Sequence, residues 1–236
     1  MTVKSSVEEI RRRFDGDVER FSDLETGQRA TLDAPLVLDL IVEAAAALAP
    51  QATRALDVGC GAGNYALKLL QALPQLDIDL VDLSRPMLER ATQRLGAVSK
   101  GEVCALEGDI RTLPLEAERY DIIVAAATLH HLRGDDEWEH VFGKLYAALK
   151  PGGCFWISDL VEHAQAQVSA LMWRRYADYL TELGGAAYRD HVLSYIERED
   201  TPRPLPYQLE LLRSVGFREL DVLHKSSTFA AFGGVK

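Results

Sequence analysis

Residues Leu56–Leu67 read LDVGCGAGNYAL. An apolar run carrying one acid, Asp57, leads into glycines at alternate positions, Gly59, Gly61 and Gly63, and an apolar helical pattern leads out. This predicts a buried strand over Arg54–Val58, a bare loop and a helix over Asn64–Leu73 that stops before Pro74. Three alternate glycines exceed what a strand-to-helix turn requires. They permit positive φ and let a ligand approach the backbone, and the N–H groups and positive dipole end of the following helix would face that ligand. A nucleotide-like cofactor is implied.

The flanking acids narrow the choice. A dinucleotide loop would have Gly-x-Gly-x-x-Gly, but the sixth position here is Asn64 and Gly63 comes one residue early. Asp57 would repel a pyrophosphate and suit a cationic ligand with an amino group and a sulfonium. Asp82 ends the next strand in DIDLVDLS, where a carboxylate can accept from both ribose hydroxyls. A third acidic turn, Gly108-Asp109-Ile110, could meet an adenine amino group through Asp109 and pack Ile110 on the ring. A dehydrogenase with an irregular loop is a competing reading, and Asp57 and Asn64 count against it.

Outward from this core, strands are expected at Ile78–Asp82, Glu102–Glu107, Tyr120–Ala125 and Cys154–Ser158. A helix capped by Ser84, with Pro86 in its first turn, runs to Leu95 and Gly96. Another spans Asp135–Leu149, before the Lys150–Gly153 turn. This alternation predicts an α/β, Rossmann-like fold with a mostly parallel sheet covered on both faces. Helices are also expected at Val7–Leu24 and Pro35–Leu48, then at Val161–Gly184, Ala187–Glu199 and Tyr207–Val215. Phe217–Leu223 and Thr228–Phe232 should form a closing antiparallel hairpin. The chain is read as a single domain: a helical cap (1–50), a cofactor-binding core (51–160), a helical substrate wall (161–205) and a closing helix and hairpin (206–236).

The bulk properties agree. The 236 residues are 47% apolar and 26% charged, with a formal net charge of −10. That composition suits a globular protein and disfavours a broad surface for tracking nucleic-acid phosphates. Cys60, Cys104 and Cys154 lie far apart with no Cys-x-x-Cys pair, so no disulfide framework is suggested and a reducing cytoplasm fits. The most apolar segment is broken by Asp39 and Glu43 and is too short for a bilayer. A cytoplasmic protein with no membrane or direct nucleic-acid contact is expected.

Taken in order, LDVGCGAG, VDLS with Met87 following, EGDIRTLP, YDIIVAAATLHHL and LKPGG resemble the class I S-adenosylmethionine-dependent methyltransferases. The resemblance covers about Leu56–Ser158, and SVGF…FAAFGGVK is similar to that family's last two strands. It implies a seven-stranded sheet whose final strand is inserted antiparallel. It implies that Asp57, Gly59, Cys60, Gly61 and Gly63 hold the methionine part of S-adenosyl-L-methionine. Asp82 would take the ribose, Leu83, Met87, Asp109 and Ile110 the adenine, and Ala125 and Ala126 would run past the sulfonium. S-adenosyl-L-homocysteine would be the product and a small molecule the methyl acceptor.

Methyl transfer needs alignment and dryness more than a catalytic motif. His130 and His131, after the fourth strand, are the candidate bases. No Asp/Glu/His pair at helical spacing speaks for a metal, and none is expected. Trp173, Tyr176 and Leu180 share a helix face that reads first as core. The N-terminal helix, with Phe14 and Phe21, is placed to close over the site. FDGDVERFS and the C-terminal order of elements are also similar to the carboxy-S-adenosylmethionine synthases of tRNA wobble-uridine modification, for which Arg189 would hold the added carboxylate; those enzymes have Ser-Leu-Gly where this chain has Gly61-Ala62-Gly63. A non-catalytic S-adenosylmethionine-binding partner is the remaining alternative, and an acceptor screen separates it from an enzyme.

Overall fold

The computed structural model describes residues 4–23 and 28–236. The glycine stretch forms strand β1 (Arg54–Val58), the loop and helix α4 (Asn64–Ala72). Before it come α1 (Val7–Gly16), α2 (Val18–Ser22) and α3 (Ala34–Leu48). After it come β2 (Asp77–Asp82), α5 (Arg85–Gly96), β3 (Val103–Glu107) and β4 (Tyr120–Ala126). A single 3-10 turn (Leu129–His131) leads to α6 (Asp135–Ala148) and β5 (Leu149–Leu160). The chain closes with α7 (Ala166–Glu199), α8 (Leu205–Val215), β6 (Arg218–Ser226) and β7 (Phe229–Val235).

The seven strands stand in the order β3-β2-β1-β4-β5-β7-β6. The first five are parallel, and β7 runs antiparallel to both β5 and β6. The order reverses between β1 and β4, and the carboxyl ends of these two strands open the crevice where doubly wound sheets bind ligands. One apolar layer packs α6 and α8 on the sheet through Trp138, Phe142 and Leu212. The opposite layer packs α3, α4 and α5 through Ile41, Leu69 and Leu95. A third cluster, around Leu160, Tyr176 and Leu180, joins α7 to the end of β5. Among the described residues no helix is long and apolar enough to cross a membrane.

Three expected elements differ. The single helix from Val7 is broken at Asp17, whose φ of −105° and ψ of 8° turn the chain into α2; its expected end, Leu24, lies outside the described residues. The helix expected from Val161 starts only at Ala166, because Val161 continues the line of β5 and donates to Thr228 O at 2.7 Å. Cys154–Ser158 is the middle of a longer strand that begins at Leu149, with Gly152 absorbing the bend at a φ of 77°. The expected break near Gly184 is present: α7 kinks at Gly185, where φ is 81° and ψ is 176°.

Candidate functional site

The three glycines serve three purposes. A Cβ on Gly59 would lie 2.0 Å from Thr128 Oγ1, so the loop must pass bare against the end of β4. A Cβ on Gly63 would meet Leu95 of α5 at 2.8 Å. Gly61, at a φ of 51°, has nothing within 4 Å and faces open space. Two of the glycines therefore permit packing, and the third leaves a cradle for a ligand. The loop is fixed from below, since Gly59 and Cys60 donate to Val81 O at 2.7 and 3.0 Å.

Asp82 ties the loop to the next helix. It accepts from Gly61 N through Oδ2 and from Ser84 N through Oδ1, each at 2.8 Å. Asp57 lies beneath α4 and accepts from Ala66 N at 3.2 Å. Burial raises its carboxyl to a pKa of about 7, against the pull of the Ala66 N–H. Asp109 is chelated by Arg111, whose Nε donates to both carboxylate oxygens at 2.9 and 3.0 Å. That guanidinium is a partner the sequence did not reveal.

Asp57, Gly59, Cys60, Gly61, Asp82, Leu83, Met87, Asp109, Ile110 and Ala126 all line one cavity. Gly63 and Ala125 do not reach it. Gly63 starts α4 at a φ of 83°, and Ala125 is buried in β4 while its successors Ala126, Ala127 and Thr128 form the wall. Ala127 holds a φ of 51°, which is rare for a residue with a Cβ. Phe14 and Phe21 close the cavity from above, their ring centroids 5.7 Å apart. The bend at Asp17 aims both rings at it.

A second cavity adjoins the first and shares Phe14, Phe21, Thr31, Ala127 and His131 with it. Its far wall holds Tyr176, Tyr195, Phe229, Arg13, Arg20 and Asp200. His130 lines only this second cavity, and His131 lines both. Arg189 lines neither; it pairs with its neighbour Asp190 at 2.8 Å on α7. Asp159 at the end of β5 contacts His130 Nδ1 and also accepts from His130 N at 3.1 Å. Burial alone would lower the His130 pKa, but Asp159 and Asp200 outweigh it and raise it to about 9. His131 moves the other way, lowered by burial and by the neighbouring His130.

Asp159, Asp200, Arg13 and Arg20 were not among the residues singled out from the sequence; Thr128, expected with Ala125 and Ala126 beside the sulfonium, lines the first cavity. Asp200 and Arg13 come from segments far from the motifs, so spacing carries no signal for them. Asp159 follows a predicted strand and was open to notice as a strand-end acid.

The donor set suits S-adenosylmethionine. Gly61 leaves room for a chain along the loop, Asp82 offers a carboxylate at the strand end, and Asp57 puts a second carboxylate near the expected amino group.

Comparison with known proteins agrees. Residues 55–153 match the family model described as a methyltransferase domain. The chain is 31% identical to the carboxy-S-adenosyl-L-methionine synthase of Chromohalobacter salexigens over 76% of this chain and 67% of that protein. It is 34% identical to the malonyl-[acyl-carrier protein] O-methyltransferase of Halalkalibacterium halodurans over 54% of this chain, and spans only 50% of that relative's length. An O-methyltransferase family protein of Burkholderia thailandensis shares the fold, with a TM-score of 0.66 at 20% identity, over 95% of this chain and 61% of that one. With the sheet order, the glycine cradle and these relatives in agreement, the chain belongs to the class I S-adenosylmethionine-dependent methyltransferases.

Proposed function

We propose that the protein transfers the methyl group of S-adenosylmethionine to a heteroatom of a small organic acceptor seated in the second cavity. The observation that carries this reading is the lining common to the two cavities, Ala127 and His131 among it, which joins the cavity of the glycine loop to an aromatic one. Bound S-adenosylmethionine supplies a methyl carbon activated by positive sulfur. Asp57, Gly61 and Asp82 hold and orient that cofactor. Phe14 and Phe21 exclude water from the junction. Tyr176, Tyr195 and Phe229 give an organic acceptor flat apolar surface. His131, neutral by the direction of its shift, is the residue at the junction able to take a proton from the acceptor.

The test is calorimetric titration with S-adenosylhomocysteine and, in parallel, NADH. Tight binding of the first, lost in Asp82→Ala, supports the reading; binding of NADH alone overturns it. An acceptor screen by mass spectrometry then separates an enzyme from a silent binding protein.

A second reading is favoured by the Chromohalobacter salexigens relative and by Arg20 in the second cavity, whose Nε has no partner. It is that the nucleoside in the first cavity is a carboxylated sulfonium whose carboxylate reaches into the second. Arg189 has no part in it, being turned away from both cavities. The mass of the nucleoside released on denaturing freshly purified protein decides between the two.

A further inference from the structure

The junction of the second cavity contains polar atoms that lack partners. Asp200 is 5% exposed and its Oδ1 accepts no hydrogen bond, and neither ring nitrogen of His131 makes one. Yet Asp200 Oδ1 lies 3.2 Å from His131 Nδ1 and 3.6 Å from His130 Nε2. One donor atom from each of the three residues falls within 4.8 Å of the others. Donors about 2.05 Å from a tetrahedral Zn²⁺ stand about 3.3 Å apart. The two measured edges bracket that length.

The surroundings also have the form of a metal site. Asp159 holds the remote nitrogen, Nδ1, of His130 and so points Nε2 at Asp200, the carboxylate–histidine arrangement that orients metal ligands. Asp159 is itself fixed by Leu160 N at 2.7 Å and His130 N at 3.1 Å. Thr201 N donates to His130 O at 2.6 Å and locks the two ligand-bearing segments together. Arg13, in the same cavity, is committed to Glu199, with Nη2 to Oε2 at 2.6 Å. Lys4 and Arg133 approach Asp200 and Glu199 through their backbone carbonyls. Among the described residues, the ion-pair partners of the Asp200 carboxylate are the two histidines.

We propose that His130, His131 and Asp200 bind one divalent transition-metal ion, Zn²⁺ by their donor set, which displaces the proton of His130 Nε2 and keeps an open coordination position toward the second cavity. Three protein ligands and an open position are the pattern of catalytic rather than structural zinc. Resting on the methyl-transfer reading, with the metal rather than a free His131 activating the acceptor, the open position receives its hydroxyl or thiol. The acceptor's O–H or S–H bond breaks as it binds, the proton passes out to bulk water at the cavity mouth, and the electron pair stays on the metal-bound nucleophile. The sequence carries no spacing signal for such a site, because its donors come from the turn after β4 and the far end of α7.

The test uses full-length protein stripped with a chelator and titrated with Co²⁺, then Zn²⁺, without cofactor or acceptor. The expected result is one equivalent of Co²⁺ with visible d–d absorption, displaced by Zn²⁺. Asp200→Asn and His131→Gln should each weaken binding at least a hundredfold, and Asp159→Asn about 10–100-fold. His131 is only partly buried, so its variant keeps the test valid should Asp200→Asn fail to fold. No saturable Co²⁺ binding by wild-type protein that shows a cooperative melt overturns the proposal, as does undiminished binding in folded His131→Gln. Metal binding is read without S-adenosylhomocysteine, so its failure and that of the methyl-transfer reading are separate results.

Discussion

Ser84 Oγ donates to Asp15 Oδ1 at 2.7 Å while it accepts from Met87 N at 3.4 Å. One hydroxyl therefore caps α5 and pins α1 above the cofactor cradle. Arg90 of the same helix holds α2 through Glu19 and through Ser22 Oγ at 3.2 Å. Asp15→Ala should loosen this cover with little global destabilisation, about 1 kcal/mol or less, since the bond is partly exposed. The expected outcome is several-fold faster release of S-adenosylhomocysteine in stopped-flow displacement, with Phe14 and Phe21 still in place. An unchanged release rate would mean that the cover does not gate the cofactor.

Asp82 holds both the Gly61 and the Ser84 N–H groups. Asp82→Ala leaves two partly buried donors without a partner and removes the carboxylate proposed to hold the cofactor. A loss of about 3 kcal/mol in cofactor binding, roughly a hundredfold in Kd, is expected from two charge-assisted bonds. Asp82→Asn keeps one acceptor oxygen and should fall between wild type and alanine. Calorimetry on the three proteins checks the order.

The glycines should separate fold from binding. Gly59→Ala drives a Cβ to 2.0 Å from Thr128 Oγ1 at a φ of 66°, so it should cost about 2–4 kcal/mol in urea denaturation. Gly61→Ala meets nothing within 4 Å and bears only the left-handed strain, about 1–2 kcal/mol. Its fold should persist while its cofactor affinity falls, because the new methyl occupies the cradle. Equal destabilisation of the two variants would contradict this division of roles.

Asp57 sets a pH dependence. Its folded pKa of about 7 stands above the usual carboxylate value of about 4. Between those limits the folded chain binds more protons than the unfolded one, so this residue's contribution to stability falls as pH rises through the window. A cofactor that brings an ammonium beside Asp57 favours the ionised form. Binding should then release a proton, and affinity should rise from pH about 5.5 to 7 and level off above it. Calorimetry in buffers of different ionisation enthalpy counts the protons, and Asp57→Asn should abolish the slope.

The sheet was legible because its signals are local. β1, β2 and β3 run into Gly or Asp turns at Gly59, Asp82 and Gly108, β4 is an unbroken apolar run from Ile122, and the hairpin from Phe217 shows its polar turn. The break at Asp17 was not, since Gly16 and Asp17 are compatible with a continuing helix and tertiary contact with α5 decides the bend. The cofactor face was legible for the same reason as the strands: its residues follow strand ends. The wall of the second cavity was not. It is assembled from α1, the 3-10 turn, α7 and β7, and only the fold brings Arg13, His131, Tyr195, Asp200 and Phe229 to one cavity.

The final strand is not at the rim of the sheet. β7 fills the gap between β5 and β6, with backbone so close that a Cβ on Gly233 would lie 2.1 Å from Phe155 O. During synthesis on the ribosome, β5 is therefore complete some seventy residues before its neighbour is available. In that interval one side of its backbone is an open template for pairing with other nascent chains. The length of that interval is set by the pace of translation and not by the stability of the finished molecule.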